Sequence, residues 1–320
     1  MAGELVFLTG ATGFVGGHVA RALLEAGYRV RVLVRDPAGS LPDGCEPVVG
    51  DLRRAGELVP GLRGCRFLVH VAAHYSFAPR EARAIWETNV LGCAGLLEAA
   101  RVAGVEKAVV TSSSAAVGPA TVRGPATEDD RALLGHGRGY HASKVEQEVV
   151  ALAAQVPVVL VLPTAPVGPG DGRPTPTGKI VLDFVRGGLP ATVRGGMNLV
   201  PVEDVARGHV LALERGRPGE RYVLGGEDLT FDDLFGRLAR LTGRRPPRRH
   251  LPHPLVLAVA RADNLRCRLL GAEPAVPLEG AEMARLEMYA SSAKANEELG
   301  WRPGPVTGAL ERAVAWYRAA

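Results

Sequence analysis

The stretch FLTGATGFVGGHVARALLEAG, Phe7 to Gly27, decides how the rest of the chain is read. An apolar run ends at Thr9, glycines follow at Gly10, Gly13 and Gly16, and an amphipathic helical pattern starts at once. Glycines at such a place supply a tight turn and room for close backbone approach. The positive end of the helix behind them favours a pyrophosphate. The spacing alone is weak evidence. Its position after a strand and before a helix makes it a dinucleotide site, against the alternative of a glycine turn that packs helix on strand and holds no ligand.

Working outward, the same grammar repeats. Strands are expected at ELVFLT, YRVRVLVR, CEPVVGD, RFLVHVAA, KAVVTSS and VPVVLVLP. Helical patterns lie between them in AGELVPGL, WETNVLGCAGLLEAARVAG and GYHASKVEQEVVALAAQ. Near-continuous apolar strands alternating with helices predict an α/β fold, a doubly wound parallel sheet of the Rossmann kind covered on both faces. Gly27 and Gly104 stand where left-handed helix ends want a glycine. Past about Leu162 the Pro/Gly-rich PTAPVGPGDGRPTPTG interrupts the alternation. This predicts a dinucleotide-binding domain over 1–165 and a smaller, mainly substrate-binding lobe over 166–320, with about 197–215 packing back on the first domain.

The 320 residues are 47% hydrophobic and 22% charged, which is ordinary for a globular chain and excludes disorder. The formal net charge is +4, spread along the chain except at Arg244, Arg245, Arg248 and Arg249. That cluster reads as a solvated loop, with no nucleic-acid partner. Cys45, Cys65, Cys93 and Cys267 are too far apart for a zinc site or a disulfide framework, so no metal and a reducing cytoplasm are expected. There is no secretory signal, and no apolar run reaches membrane-spanning length. LVLAVARADNLRCRLLG is expected to be a helix packed within the C-terminal lobe, with peripheral contact to acidic lipid or a lipid-like substrate as the alternative.

Two further stretches carry chemistry. At the end of the second strand, where a carboxylate would take the adenosine ribose hydroxyls, the chain has Arg35. A guanidinium suits a 2′-phosphate, so NADP(H) is preferred, while Asp36 next to it keeps NAD(H) open. In GRGYHASKVEQE, Gly137 to Glu148, Tyr140 and Lys144 are four apart and share a helix face. A nearby ammonium lowers a phenol pKa, so the pair can exchange a proton, although a lone Tyr-x-x-x-Lys is more often a surface pair. The apolar stripe Val145, Val149 and Leu152 is expected to face the core, with Tyr140 and Lys144 at its border.

Taken in order, TGATGFVGG, GDLR, HVAA, NVLGCAGLLEAA, VVTSSSAAVG and YHASK resemble the extended short-chain dehydrogenase/reductase family of NAD-dependent epimerase/dehydratase type. PTAPVGPGDGRPTPTGKIVLDFVRGGLPA, RPGERYVLGGEDLT and SSAKANEELGWRP are similar to its hopanoid-associated sugar epimerase and dihydroflavonol 4-reductase-like branch. The resemblance implies roles by position. Gly10, Thr12, Gly13, Phe14, Val15 and Gly16 would hold the pyrophosphate, and Asp51 and Leu52 would line the adenine. Val71, Ala72, Ala73, Asn89, Thr111 and Ser112 would run beside the cofactor. Pro163, Thr164 and Pro166 would pass beneath the nicotinamide. Ser113 would be the catalytic serine, with Ser112 and Ser114 as its competitors. Tyr140 would move the proton, and Lys144 would hold the nicotinamide ribose and lower the tyrosine pKa. A homodimer built through the Tyr140 helix is also implied.

The chain departs from the nucleotide-sugar epimerases of that family at two places. Ala165 stands where an asparagine usually helps hold the diphosphate, and Met197 where a basic residue usually contacts the nucleotide. Arg173, Lys179 or Arg194 could take over that charge. With Arg35, these departures favour net hydride transfer at a ketone or secondary alcohol of a small, non-nucleotide substrate. The alternatives are a sugar epimerase with a transient ketone and no net redox, and a cofactor-binding regulator without catalysis. Tyr75, Phe77, Thr177 and Phe184 are candidates for the substrate pocket.

Overall fold

The computed structural model describes residues 3–36, 41–132, 139–187, 189–270, 272 and 274–319. Gly137 and Arg138, which open the GRGYHASKVEQE stretch, lie outside the described residues. The strands in chain order are β1 Leu5–Thr9, β2 Arg29–Val34, β3 Cys45–Val49, β4 Phe67–His70, β5 Lys107–Thr111 and β6 Val158–Pro163. Then come β7 Ala165–Val167, β8 Gly196–Pro201, β9 Arg221–Leu224, β10 Glu227–Thr230 and β11 Glu287–Met288. The helices are α1 Phe14–Glu25, α2 Val59–Leu62, α3 Ala82–Trp86, α4 Gly92–Ala103, α5 Tyr140–Leu152 and α6 Pro176–Arg186. They continue with α7 Val202–Arg215, α8 Phe231–Thr242, α9 His253–Leu270, α10 Leu278–Met283 and α11 Val306–Ala319.

All six expected strands form, and they join one parallel sheet in the order β3-β2-β1-β4-β5-β6-β9. Its seventh strand is one the sequence pattern did not reveal. β9 is only four residues long, too short to show a period, and it returns from beyond the connector to pair Leu160 with Arg221. Strand order reverses between β2 and β4 around β1, which opens a crevice at the carboxyl ends of β1 and β4.

Each face of this sheet has its own core. Val19, Ala20 and Leu23 of α1 and Val205, Ala206 and Leu213 of α7 pack on Val6, Leu8, Val69 and Val161. On the other face, Leu52, Leu58 and Leu62 with Leu96, Leu97 and Ala100 of α4 pack on Phe7, Leu68 and Val110. Gly27 and Gly104 both have φ near +84 and follow their helices in the left-handed conformation, as expected.

The second sheet is built on β8. It pairs antiparallel with β10, and parallel with β7 at Leu199–Pro201 and with β11 at Gly196–Met197. Helices α6, α8 and α11 close a third core around it. Phe184 stacks on Phe235 there, ring centroids 5.7 Å apart, and is buried. It is therefore a core residue, because the apolar face of α6 turns toward α8, and its edge lines a surface pocket with Gly187, Leu189, Arg244 and Arg245, in the third core and away from Tyr140. Thr177 is buried in the first turn of α6.

Candidate active site

The glycine turn follows β1. Gly13 N donates to Gly10 O at 2.9 Å, and α1 starts directly after Gly13, which offers no side-chain cap. Gly10 has φ +85, and a Cβ there would lie 2.7 Å from Ala72 N, so only glycine lets this turn touch the end of β4. A Cβ on Gly16 would lie 2.0 Å from Gly10 O. The turn thus folds back on its own helix, whose first turn carries N–H groups without intrahelical partners and no acidic residue. Thr12 and Gly13 are exposed, and Phe14 and Val15 half-exposed. A dinucleotide pyrophosphate fits this cradle, which any side chain at Gly10 or Gly16 would fill.

The end of β4 lines the other side of the crevice. Thr9 Oγ1 lies 2.7 Å from His70 Nδ1 and accepts from Ala72 N at 3.2 Å, which fixes Val71, Ala72 and Ala73 beside the glycine turn. Asn89 is fully buried in a widened helical turn, Glu87–Leu91, before α4. It accepts from His74 N at 2.7 Å and donates to Ser143 Oγ at 3.0 Å, and Ser143 Oγ donates to Tyr140 O at 2.6 Å. Asn89 therefore ties the β4 loop to the first turn of α5. Widened turns of this kind are frequent at functional sites.

Asp51 caps the short helical segment Leu52–Leu58 and holds the Arg53 guanidinium, which keeps its carboxyl at about 2. Leu52 is buried against α4. Arg35 is exposed just past the end of β2, the strand paired with β1. Pro163 ends β6, Thr164 Oγ1 donates to Asn198 Oδ1 at 2.8 Å, and Pro166 lies in β7.

Environment sets Ser112 apart from the other two serines after β5, Ser113 and Ser114, which are both half-exposed. Ser112 is buried and donates to Glu148 Oε1 at 2.5 Å. Glu148 in turn pairs with Arg221 at 2.9 Å, both almost wholly buried. Ser113 is half-exposed, in extended backbone, and among the described residues its Oγ accepts only from Ala115 N, at 3.2 Å. Ser112 is thus committed to an ion pair, while Ser113 keeps its hydroxyl proton for another partner.

Tyr140 and Lys144 share a face of α5, with Lys144 Nζ 5.6 Å from the Tyr140 ring centre. The expected stripe holds only in part: Val145 and Leu152 are half-buried against the core, while Val149 is turned to the surface. The buried residues of α5 are Ser143, Lys144, Gln147, Glu148 and Ala151, and Val149 is 54% exposed. Polar residues can face inward here because each finds a partner. Lys144 Nζ donates to Thr111 O and to Gln147 Oε1, both at 2.8 Å, and Glu148 meets Ser112 and Arg221. Lys144 therefore belongs to the core face and does not merely border it.

Burial sets the protonation states. It pulls the Lys144 ammonium down to about 8, and the charges of Cys93 and Glu148 work against a further fall. Burial also raises the Tyr140 phenol, contrary to the lowering expected from its lysine neighbour. The ammonium is aimed at a carbonyl and an amide oxygen, so it does not reach the phenol. His70, behind Lys144, is held down to about 3 by burial and then by the Lys144 charge, which keeps it neutral.

Aromatic rings surround the tyrosine. The Tyr75 ring centre lies 4.2 Å from that of Tyr140, Phe77 is 5.3 Å from Tyr75, and Phe77 stacks on His141 at 6.2 Å. His141 Nδ1 lies 2.9 Å from Glu279 Oε2 of α10, which brings the C-terminal lobe against the start of α5. His74 meets Glu81 at 2.5 Å. These histidines are hydrogen-bonded residues of the site's lining.

Sequence reasoning missed the Ser112–Glu148–Arg221 cluster. Arg221 also donates to the carbonyls of Glu128 and Asp130, at 2.5 and 3.0 Å, and so holds the loop that follows Ser113. Glu148 gave a signal, since it lies one turn after Lys144 on the same face. Arg221 gave none.

A parallel sheet with a glycine cradle at its switch point defines a dinucleotide-binding α/β protein of the doubly wound class. The chain belongs to the NAD dependent epimerase/dehydratase family, whose profile matches residues 6–225. It is similar to a Synechocystis sp. protein provisionally named dihydroflavonol 4-reductase, 41% identical over 98% of this chain and 95% of that one. Sterol demethylase protein B of Methylococcus capsulatus is 34% identical over 97% of each chain. Among solved structures, MoeE5 in complex with UDP-glucuronic acid and NAD is 26% identical, with a TM-score of 0.77 over 99% of both chains.

Proposed function

We propose that this chain is an NAD(P)(H)-dependent oxidoreductase that interconverts a ketone and a secondary alcohol, with Tyr140 as the proton donor and acceptor. The observation that carries the proposal is the buried Lys144 one turn from Tyr140 on α5, a helix that packs against the turn following the half-exposed Ser113. A bound nicotinamide supplies or accepts the hydride. Gly10, Thr12, Gly13, Phe14, Val15 and Gly16 hold its pyrophosphate, and Asp51 and Leu52 its adenine end. Val71, Ala72, Ala73, Asn89, Thr111 and Ser112 line its path, and Pro163, Thr164 and Pro166 close the far side.

In this reading Ser113 Oγ donates to the substrate oxygen and steadies the charge that grows on it. Tyr140 Oη gives its proton to that oxygen in reduction and removes it in oxidation. Lys144 stays charged below about 8 and, with its ammonium 5.6 Å from the Tyr140 ring centre, favours the phenolate through its field without a hydrogen bond to it. Asn89 acts through Ser143 by holding the first turn of α5 in place. The division into a cofactor-binding part over 1–165 and a substrate lobe over 166–320 goes with this proposal.

The substrate we propose is apolar and carries no nucleotide. Ala165 and Met197 bring no charge to the place where a diphosphate would lie, Lys179 is taken up by Asp183 at 2.8 Å, and Tyr75 and Phe77 present rings beside Tyr140. The sterol in the name of one relative is in keeping with this. The competing reading is epimerisation, which the family description includes. Absorbance of free NADPH separates the two: it falls in step with product for a reductase and stays constant for an epimerase.

NADP(H) over NAD(H) is part of the proposal and rests on the exposed Arg35 at the end of β2. Arg35→Ala is expected to weaken NADPH far more than NADH in a binding titration, and equal loss for both rejects the preference. A homodimer through α5 is also proposed, supported by Trp86, Leu91 and Val149, which are all exposed. Cytoplasmic placement is supported by four cysteines that are all free thiols. Among the described residues, no helix is long and apolar enough to cross a membrane.

A further inference from the structure

Six of the thirteen large apolar side chains that the described residues expose lie in one stretch: Leu251, Leu255, Val259, Leu265, Leu269 and Leu270. The last five are on α9. At 100° per residue they fall within a sector about 140° wide, opposite the buried Ala260 and Cys267. The helix packs in the C-terminal lobe as expected, through that opposite face, and leaves the leucine face uncovered.

The same segment concentrates charge. Between residues 244 and 270 the chain has seven arginines against one aspartate, a formal +6 where the whole chain carries +4. The remainder is therefore net negative. All seven arginines are exposed, and the aspartate, Asp263, is taken up by Arg266 at 2.7 Å. Arg261 and Arg268 flank the leucine sector on one side.

We propose that this face of α9, with the arginines beside it, docks on an anionic lipid bilayer. A bilayer surface supplies both things the face lacks: an acyl layer for the leucines and phosphates for the guanidiniums. A second copy of the chain would bring two segments of +6 together, which opposes association through this face. A nucleic acid would meet the arginines and leave the leucines in water.

The placement also gives the docking a consequence. His253 Nε2, at the start of α9, lies 2.9 Å from Ala281 O, and two residues earlier Glu279 holds His141 beside Tyr140. Docked in this way, the bilayer would lie on the outer side of α9, with α10 and the start of α5 on its inner side, which brings the proposed site close to a store of apolar substrate. Vesicle binding needs no turnover, so it tests the surface independently of the proposed hydride transfer.

The test is flotation of the full chain with vesicles of phosphatidylcholine alone or mixed with phosphatidylglycerol. The wild type is expected to float at least about tenfold more with the anionic vesicles, and to release in high salt. Leu255→Ser/Leu265→Ser/Leu269→Ser is expected to lose flotation, and Arg261→Glu/Arg268→Glu to lose the anionic preference, both with wild-type melting curves because the positions are exposed. No flotation of the wild type overturns the proposal, as does flotation that neither variant changes. A wild-type dimer that the leucine variant converts to monomer, without flotation, assigns the face to a second copy. Duplex DNA binding without vesicle binding assigns it to a nucleic acid, and either result overturns the proposal.

Discussion

Replacing Lys144 with methionine should abolish activity and should make the protein's stability relative to the wild type fall as pH rises from 7 to 9.5. The ammonium is 1% exposed, and its pKa is brought from the ordinary 10.5 to about 8 by burial. Because the folded value is below the unfolded one, the unfolded chain binds more protons between these two values, and stability rises with pH across that window. The cost of keeping the lysine charged is about 3 kcal/mol at pH 7 and about 1 kcal/mol at pH 9.5. Methionine has a similar length but gives up the bonds to Thr111 O and Gln147 Oε1, which for a charged donor are worth about 1.5–3 kcal/mol each. These losses at least match the gain at pH 7, so Lys144→Met should be no more stable than the wild type there, and its stability relative to the wild type should fall by about 2 kcal/mol between pH 7 and pH 9.5. Urea unfolding of both proteins at the two pH values measures this directly, and other titrations cancel in the difference. A stability difference that stays the same from pH 7 to pH 9.5 refutes the reasoning, because it means the lysine is not held charged in a dry site.

Further predictions separate chemistry from scaffolding. Ser113→Ala should lower kcat by about 10²–10³ with an unchanged melting curve. Ser112→Ala should instead destabilise by about 1–3 kcal/mol, because it strips a donor from the buried Glu148. Arg221→Ala should cost about 3–5 kcal/mol in chemical denaturation, since it leaves Glu148 unpaired, and the double variant Glu148→Leu/Arg221→Met should recover most of that. Gly16→Ala should weaken NADPH binding more than about tenfold in a fluorescence titration, because its Cβ collides with Gly10 O. In the reducing direction kcat should fall as pH rises through about 8, where Lys144 loses its charge.

The sheet and its switch point were legible because strands buried on both faces must be apolar throughout and glycines mark the turn between them. Gly10 and Gly16 could be assigned from their place alone, and the Cβ contacts give the reason. The face of α5 was only partly legible, because a hydrophobic pattern assumes that charges stay in water. Lys144 and Glu148 are exceptions, each made tolerable by partners on β5, the serine loop and β9 that lie 33, 36 and 73 residues away in sequence. Arg221 was invisible for the same reason: its meaning comes from a carboxylate brought to it by the sheet. The rise of the Tyr140 pKa could not be foreseen either, since helical spacing gives the shared face but not where the ammonium points. Ser113 was favoured over its neighbours by position, and the structure adds a physical reason against Ser112, which Glu148 occupies.

The most direct test of the central claim uses NADPH deuterated at the transferring position of the nicotinamide, offered with a panel of apolar cyclic ketones. Deuterium should appear on the carbinol carbon of the alcohol product with the wild type, and not with Tyr140→Phe, which should still bind the cofactor with wild-type affinity. Unchanged transfer in Tyr140→Phe would contradict the assignment of the proton to this phenol, and with it the account of the site.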